Sequence, residues 1–275
     1  VLAVQTGSRT NGEPATGRQR REVVMFETVL LATSKVATFV DGRPLTTGSG
    51  FFFQRDDCLF LVTSRHVFYD EPSQHMPSRI EVQLHVDADN LAEWVDFSIP
   101  LYRDGRSAWR QGEDSAGPID VAVIEINRDA LPPSVVYRAF TPQHICHPGD
   151  GPHRVEIGAP LLILGFPLGF HDTLHHIPVA RQAIVASSFD FRFQGRGYFL
   201  TDARTHRGTS GSPVIMRDTS SDGALGDLPW LLLGIHSARL DMATRDLSAD
   251  EALGLNCAWY ADILMTLTDG GVGAT

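Results

Sequence analysis

The sequence is poor in cysteine, and the few cysteines it has form no recognisable pattern. Its 275 residues include three of them, Cys58, Cys146 and Cys257, an odd number without a Cys-x-x-Cys pair. This pattern predicts neither a disulfide framework nor a zinc site. A reducing, cytoplasmic location is the simplest expectation, although a secreted chain that has lost its signal peptide also fits.

Basic charge and long apolar runs are scarce as well. Lys and Arg number 23 against 33 Asp and Glu, and the formal net charge is -10. We therefore expect neither nucleic acid nor an anionic membrane as the main partner, because phosphate binding needs a basic face. No apolar run approaches the ~18 residues of a membrane span. Residues 1–21 are polar, lack the apolar core of a signal peptide and predict a flexible tail.

Short apolar runs rich in Val, Ile and Phe are abundant, with Gly, Pro and Asp between them. They are too short for helices and predict strands. The predicted strands are Val36–Val40, Gly50–Phe53, Leu59–Val62, Ile80–Leu84, Val95–Ile99, Val121–Ile126, Leu161–Gly165, Arg181–Ser187, Tyr198–Asp202, Ser212–Met216 and Leu231–His236. So many short strands at near-regular spacing indicate an all-β barrel or sandwich.

The strands fall into two groups, separated by a proline-containing stretch over 127–151. We therefore expect two β-barrels joined by a linker. The predicted units are a tail at 1–21, an N-terminal barrel at 22–127, a linker at 128–157, a C-terminal barrel at 158–256, and a helix with a tail at 257–275.

Two segments read as helical. Phe26–Lys35 is one candidate, although its Thr and Val content disfavours a helix. The other is Cys257–Thr268, where Trp259, Ile263 and Leu267 share one helical face. Such a helix would bury that face against the second barrel.

The most informative motif is Gly208–Pro213, which reads Gly-Thr-Ser-Gly-Ser-Pro between two strand-like runs. Its glycines can take backbone angles that other residues resist, so the turn can hold Ser210 outward. Backbone N–H groups would then converge beside the serine, which is the geometry of an oxyanion hole. A plain Gly/Ser loop between strands is the alternative interpretation.

A serine nucleophile needs a base, and the base needs a third group to orient it. His66 follows the apolar run Leu59–Val62 and a small-residue turn, so it would lie at a strand end. Asp120 opens the apolar run Val121–Ile126, where a carboxylate is costly to bury unless it is paired. A structural histidine and an exposed aspartate remain the alternatives for the two residues.

The order His66, Asp120, Ser210 and the surrounding motifs resemble the trypsin/chymotrypsin-like serine proteases. Thr63–His66 is similar to that family's Thr-Ala-x-His turn, and Asp120–Val123 to its Asp-Ile-Ala-Leu strand start. Gly208–Pro213 is similar to Gly-Asp-Ser-Gly-Gly-Pro, and Gly48–Phe51 to a Gly-x-Gly-Phe approach. Gly165–Gly169 and the following strand resemble the bacterial branch, including HtrA-like proteins.

The resemblance implies two six-stranded antiparallel barrels of chymotrypsin type and an endopeptidase that needs no cofactor. It assigns Ser210 as the nucleophile, His66 as general base and acid, and Asp120 as the group that orients His66. The N–H groups of Gly208 and Ser210 would form the oxyanion hole. Thr209 stands where many secreted members have an Asp that pairs with a freshly cut N-terminus. We therefore do not expect activation by that route.

Substrate specificity is indicated by a second resemblance, to glutamyl endopeptidases. A Thr five residues before the nucleophile and a His in a Gly-Ile-His strand hold an acidic side chain there, and Thr205 and His236 match them. The predicted substrate-binding residues, which would favour cleavage after Glu or Asp, are Thr205, Arg207, His236, Ser237 and Arg239. A structural His236 and solvated arginines, Arg204 among them, are the alternative.

The sequence also bears on three other possible functions: a silent binding fold, an α/β-hydrolase and a metal site. A catalytically silent protease fold that binds protein is the alternative to an active endopeptidase. An α/β-hydrolase is disfavoured, because its Gly-x-Ser-x-Gly motif and its Ser, Asp, His order are absent. The histidines within 171–176 lack an obvious fourth ligand and predict a solvent-exposed loop, so we expect no metal. A protein or peptide substrate and a regulatory protein partner are the partners we expect.

Overall fold

The computed structural model describes residues 27–115, 117–149, 155–220, 223–239 and 254–270. The predicted tail at 1–21 and the end of the predicted C-terminal tail lie outside them. The strands of the N-terminal half are β1 Thr33–Val40, β2 Arg43–Arg55, β3 Cys58–Thr63, β4 Arg79–His85, β5 Trp94–Pro100, β6 Tyr102–Arg103, β7 Arg106–Ser107, β8 Trp109–Asp114 and β9 Gly117–Ile126. Those of the C-terminal half are β10 Pro160–Gly165, β11 Val179–Val185, β12 Tyr198–Asp202, β13 Pro213–Arg217, β14 Trp230–Arg239 and β15 Leu255–Tyr260. Every predicted strand overlaps one of these, so the all-β class is confirmed.

The N-terminal half contains an antiparallel sheet of seven strands in the order β5-β4-β1-β2-β3-β9-β8, beside the separate two-stranded sheet β6-β7. The larger sheet has one strand more than the six we predicted. Its edge strands β5 and β8 are separated in the chain by the small hairpin β6-β7. The N–H of Ala108 donates to the carbonyl of Leu101 at 2.9 Å, which closes the base of this hairpin. On either side of the hairpin, β5 pairs with β4 and β8 pairs with β9.

The C-terminal half is a closed six-stranded barrel in the order β10-β11-β12-β15-β14-β13, as the family resemblance implies. Closed barrels leave no unpaired edge strand. The interior is filled by apolar side chains that alternate along the strands. Leu161 and Ile163 of β10, Val185 of β11 and Phe199 of β12 are among these buried residues.

The predicted helix over Cys257–Thr268 is wrong in its first half. Residues up to Tyr260 form β15, which pairs with both β12 and β14 and closes the barrel. Buried Asn256, Ala258 and Tyr260 alternate with less buried neighbours, a period of two that belongs to a strand. The helix that follows, which we call α2, spans only Ile263–Leu267. The i, i+4 spacing of apolar residues was shared by chance between a strand end and this short helix.

The predicted helix at Phe26–Lys35 is also wrong. A 3-10 helix covers Thr28–Ala32, and the chain is extended in β1 from Thr33 onward, while Phe26 lies outside the described residues. The segment between β9 and β10 carries 3-10 helices at Arg128–Ala130 and Pro142–His144. It contacts both halves, through bridges of Phe140 with Phe53 and of Ile145 with Leu232.

An apolar layer joins the two halves into one body. Phe51 and Phe53 of β2 share a buried cluster with Leu164 of β10 and Ile235 of β14. Phe140 of the connecting segment meets Phe51 edge to face, with ring centroids 5.7 Å apart. Burial of these side chains fixes the relative position of the two halves. We call the interface between the halves the seam.

We predict that Tyr260→Phe destabilises the C-terminal barrel. The buried Tyr260 hydroxyl donates to the carbonyl of Phe189 at 2.7 Å, and its loss leaves that acceptor short of a partner. We expect the free energy of unfolding to fall by about 1 kcal/mol, seen as a lower urea midpoint with an unchanged slope. The control is Tyr137→Phe, whose hydroxyl pairs with the exposed Arg128 and should shift stability by less than about 0.5 kcal/mol.

Candidate active site

His66 and Asp120 are brought together by the pairing of β3 with β9. His66 lies in a single-turn helix, α1, Arg65–Phe68, which begins just beyond the end of β3. Thr63 at the end of β3 lies opposite Ala122 of β9, so Asp120 is carried to the start of α1. The imidazole Nδ1 of His66 and Oδ2 of Asp120 are 2.7 Å apart.

The Asp120 carboxylate accepts hydrogen bonds from both halves of the molecule. Oδ1 accepts the backbone N–H of His66 at 2.9 Å, and Oδ2 also accepts the hydroxyl of Ser237 from β14. Burial opposes ionisation, but the hydrogen bonds and the adjacent imidazole outweigh it and lower the pKa of Asp120. For His66, burial disfavours the charged ring, yet the bond and charge of Asp120 prevail and raise its pKa. Asp120 is therefore the anionic partner of His66.

Ser210 lies in the turn that joins β12 to β13, and two glycines give that turn its shape. Gly208 has φ +91°, and a Cβ there would come within 2.5 Å of the Phe166 carbonyl. Gly211 has φ +87°, and a Cβ would come within 2.1 Å of the Ser49 carbonyl. Both positions therefore require glycine. The absence of a side chain at Gly211 lets the turn lie against Ser49 of the N-terminal half.

Thr209 completes the turn internally. It is buried, and its hydroxyl donates to the carbonyl of His206 at 2.6 Å. The N–H of Ser212 donates to the carbonyl of Thr209 at 3.0 Å. The hydroxyl of Thr209, which stands where many secreted proteases have an Asp, thus forms its hydrogen bond within its own loop.

A cleft of about 530 Å³ exposes Ser210 and His66 to the same space. Arg207 and Gly208 contribute to one wall, and the segment Pro44–Thr47 of β2 to another. Gly208 begins the turn Gly208–Pro213, which carries the predicted nucleophile Ser210 and which we call the nucleophile turn. The three residues predicted as the triad therefore converge, two of them lining the cleft and Asp120 behind His66.

Three of the residues that were predicted to bind substrate, Thr205, His236 and Ser237, are buried. Thr205 is buried and its hydroxyl donates to Oδ1 of Asn256 at 2.6 Å. His236 is fully buried, and burial lowers its pKa to about 4, so its ring is neutral near pH 7. The Ser237 hydroxyl donates to Oδ2 of Asp120, so this residue contacts the predicted triad directly.

The structure describes the side chains of two of the three arginines that the sequence analysis named. Arg204 is exposed, and its carbonyl accepts two bonds from Arg181. Arg207 is exposed on the wall of the cleft. Arg239 ends β14 opposite Asn256, and its side chain lies outside the described part of the chain.

The histidine-rich loop after β10 makes contacts within the protein. Nδ1 of His171 lies 2.6 Å from the carbonyl of Gly169, and Nδ1 of His175 lies 2.8 Å from Asp172. The ring of His176 stacks on Trp94 of β5, with centroids 3.9 Å apart. Among the described residues, no group of three His, Cys, Asp or Glu is arranged to hold a metal ion. None of the described helices is both long and apolar enough to span a bilayer.

Sequence reasoning missed several polar residues at the seam. Ser49, Thr63 and Ser64 are buried where the two halves meet, and Asn256 is buried under Thr205. The hydroxyl of Ser64 donates to the carbonyl of His236 at 3.2 Å. A small hydroxyl residue inside an otherwise apolar strand, such as Ser49 before Phe51–Phe53, was the available signal.

Three solved structures are similar to this chain over most of its length. A serine endoprotease from Yersinia pestis is 20% identical with a TM-score of 0.46, covering 86% of this chain and 61% of that one. An inactive form of the Rv3671c protease is 15% identical with a TM-score of 0.43, covering 87% and 90%. A serine-to-alanine mutant of Rv3671c from M. tuberculosis H37Rv, also inactive, is 14% identical with a TM-score of 0.45, covering 96% and 98%. This chain thus spans about three fifths of the Yersinia endoprotease.

Among curated protein sequences, none matches this chain. The family model of the trypsin-like peptidase domain, in contrast, matches residues 48–221, which is more than half of the sequence. His66, Asp120 and Ser210 all lie within the matched range. The chain therefore belongs to the trypsin-like peptidase family.

Proposed function

We propose that the chain is a serine endopeptidase that cleaves proteins or peptides through an acyl-enzyme on Ser210. The observation that carries the proposal is the 2.7 Å bond between His66 and Asp120 behind a cleft lined by His66 and Ser210. No metal or cofactor is needed for this chemistry, because an activated hydroxyl supplies the nucleophile.

The hydrogen bond to Asp120 determines which imidazole nitrogen acts as the base. Since Nδ1 donates to the carboxylate, Nε2 of neutral His66 carries a lone pair and can take the proton of Ser210. Ser210 Oγ then adds to the scissile carbonyl, and protonated His66 returns the proton to the leaving amine. Water repeats the sequence and releases the acyl group. The N–H groups of Gly208 and Ser210 are the proposed donors to the oxyanion.

An acidic residue before the cut is the specificity that we propose. Support comes from the match of Thr205 and His236 to glutamyl endopeptidases and from the burial of both beside Asn256 and the triad. A neutral His236 ring can donate one N–H to a carboxylate without a charge of its own. The Arg204 side chain is exposed, so we assign it no part in this buried pocket.

The first prediction concerns the nucleophile. We expect peptide hydrolysis and fluorophosphonate labelling by the wild-type chain, and the loss of both in Ser210→Ala, because the triad residues act as a unit. Rates should fall by about 10³-fold or more. Ser212→Ala is the matched control, since the Ser212 hydroxyl is buried without a partner among the described residues. A wild-type chain that binds peptide but neither labels nor hydrolyses would instead favour the silent binding module.

The second prediction concerns pH. The general base must be neutral, so kcat/KM should rise with pH as His66 loses its proton and level off above its raised pKa. Asp120→Asn removes the charge and bond that raise this pKa. We therefore expect the acidic limb to move to lower pH, with a plateau reduced by about 10⁴-fold. Initial rates on an activated ester between about pH 5 and about pH 9 measure both effects. An acidic limb that stays in place would assign it to another group.

The third prediction concerns specificity. In peptides that differ only at the residue before the cut, we expect kcat/KM to be about ten- to hundredfold higher for Glu than for Gln, the range of one charged hydrogen bond. Thr205→Val keeps the side-chain shape but removes the hydroxyl, and it should reduce this ratio. Preferred cleavage after Lys, Arg or large apolar residues would refute the acidic pocket.

A further inference from the structure

Ser49 lies at the centre of the seam, and the mechanism above gives it no role. It is fully buried in β2 of the N-terminal half. Its Oγ donates to the carbonyl of Gly208 at 2.7 Å and accepts the N–H of Phe166 at 3.0 Å. Its N–H donates to the carbonyl of Ser210 at 2.9 Å, and its carbonyl accepts the Thr63 hydroxyl at 2.7 Å. One side chain from the first half thus binds two segments of the second.

These bonds restrict Gly208 on one side, and the loop after β10 restricts it on the other. The N–H of Leu168 donates to the carbonyl of Arg207 at 2.6 Å. The peptide planes before and after Gly208 are therefore both held, which sets its φ of +91°. In a trans peptide the N–H points opposite to the carbonyl. The N–H of Gly208 consequently points away from Leu168.

We propose that Ser49 is a positioning residue for the oxyanion hole, whose hydroxyl keeps the Gly208 N–H aimed at the substrate carbonyl oxygen. The inference rests on the proposed function, because it matters only if Ser210 attacks a carbonyl. Ser49 touches neither substrate nor the reacting atoms. It acts by holding the Gly208–Thr209 peptide from across the seam.

The physical reason is that glycine supplies little rigidity of its own. Gly208 has the widest backbone freedom of any residue type, so its orientation depends on what its neighbours bind. Without the Ser49 hydroxyl, the carbonyl of Gly208 and the N–H of Phe166 lose their buried partner. The Gly208–Thr209 peptide, which carries that carbonyl, can then rotate until the carbonyl finds another hydrogen-bond partner. A donor displaced by about 1 Å stabilises the developing charge poorly.

Ser212 provides a matched control in the same layer. Both Ser49 and Ser212 are fully buried, and both hydroxyls face Gly165. A Cβ on Gly165 would come within 2.7 Å of the Ser49 Oγ and 2.2 Å of the Ser212 Oγ. The Ser212 hydroxyl, however, has no hydrogen-bond partner among the described residues. Removal of either hydroxyl is the same chemical change, but of the two hydroxyls only that of Ser49 forms a hydrogen bond to the nucleophile turn.

The test compares Ser49→Ala with Ser212→Ala on the best cleaved peptide and on a peptide aldehyde of the same sequence. The aldehyde carbon accepts Ser210 Oγ, and the resulting oxygen occupies the oxyanion hole. We expect Ser49→Ala to lower kcat roughly ten- to hundredfold with KM within about twofold of wild type, and to weaken aldehyde inhibition by a similar factor. Ser212→Ala should keep both values near wild type.

A second pair keeps the test valid if Ser49→Ala folds poorly. Ser49→Thr and Ser49→Val add the same bulk to β2 and differ only in the hydroxyl. Thr should retain a higher kcat and tighter aldehyde binding than Val, whereas equal impairment of the two would overturn the inference. Normal hydrolysis with Ser49→Ala equal to Ser212→Ala would overturn the inference alone. A wild-type chain that hydrolyses no peptide would overturn the proposed function and this inference with it.

Discussion

The rest of the site depends on the need to satisfy the Asp120 carboxylate where the two halves meet. A partly buried carboxylate is costly unless several donors surround it. It accepts the backbone N–H and the ring of His66 from its own half, and the hydroxyl of Ser237 from the other. The same carboxylate therefore orients His66 and attaches β14 to the N-terminal sheet. The geometry of the candidate site and the docking of the two halves are thus held by one set of bonds.

The seam combines an apolar layer with a small polar one, and each has a separate effect. Burial of Phe51, Phe53 and their partners holds the halves together but is not directional. Direction comes from hydrogen bonds across the seam, such as that from the N–H of Ser49 to the carbonyl of Ser210 at 2.9 Å. Because the polar atoms are buried, each lost bond leaves an unpaired group. The nucleophile turn is therefore sensitive to residues far from it in the chain.

Thr209 changes how the nucleophile turn is stabilised. An Asp at this position would require a cationic partner, whereas the Thr209 hydroxyl finds its acceptor within the turn at His206. Ser49 and Leu168 hold the neighbouring peptides from outside. The turn thus reaches its conformation through neutral hydrogen bonds, which form without a charged chain terminus. The bond from Leu168 also links the turn to the loop after β10, whose Leu168 and Phe170 side chains are largely exposed.

The sequence by itself determined eleven of the strands and the candidates His66, Asp120 and Ser210, because period-two apolar runs and short Gly-rich turns are local signals. It could not separate β15 from a helix, since the apolar spacing near Trp259 fits both and pairing with β12 and β14 decided. Only the tertiary structure decided that the Ser237 hydroxyl belongs to Asp120 and that Ser49 binds the nucleophile turn. Those contacts join residues more than a hundred positions apart. Their partners are set by how the two halves pack, which no local pattern encodes.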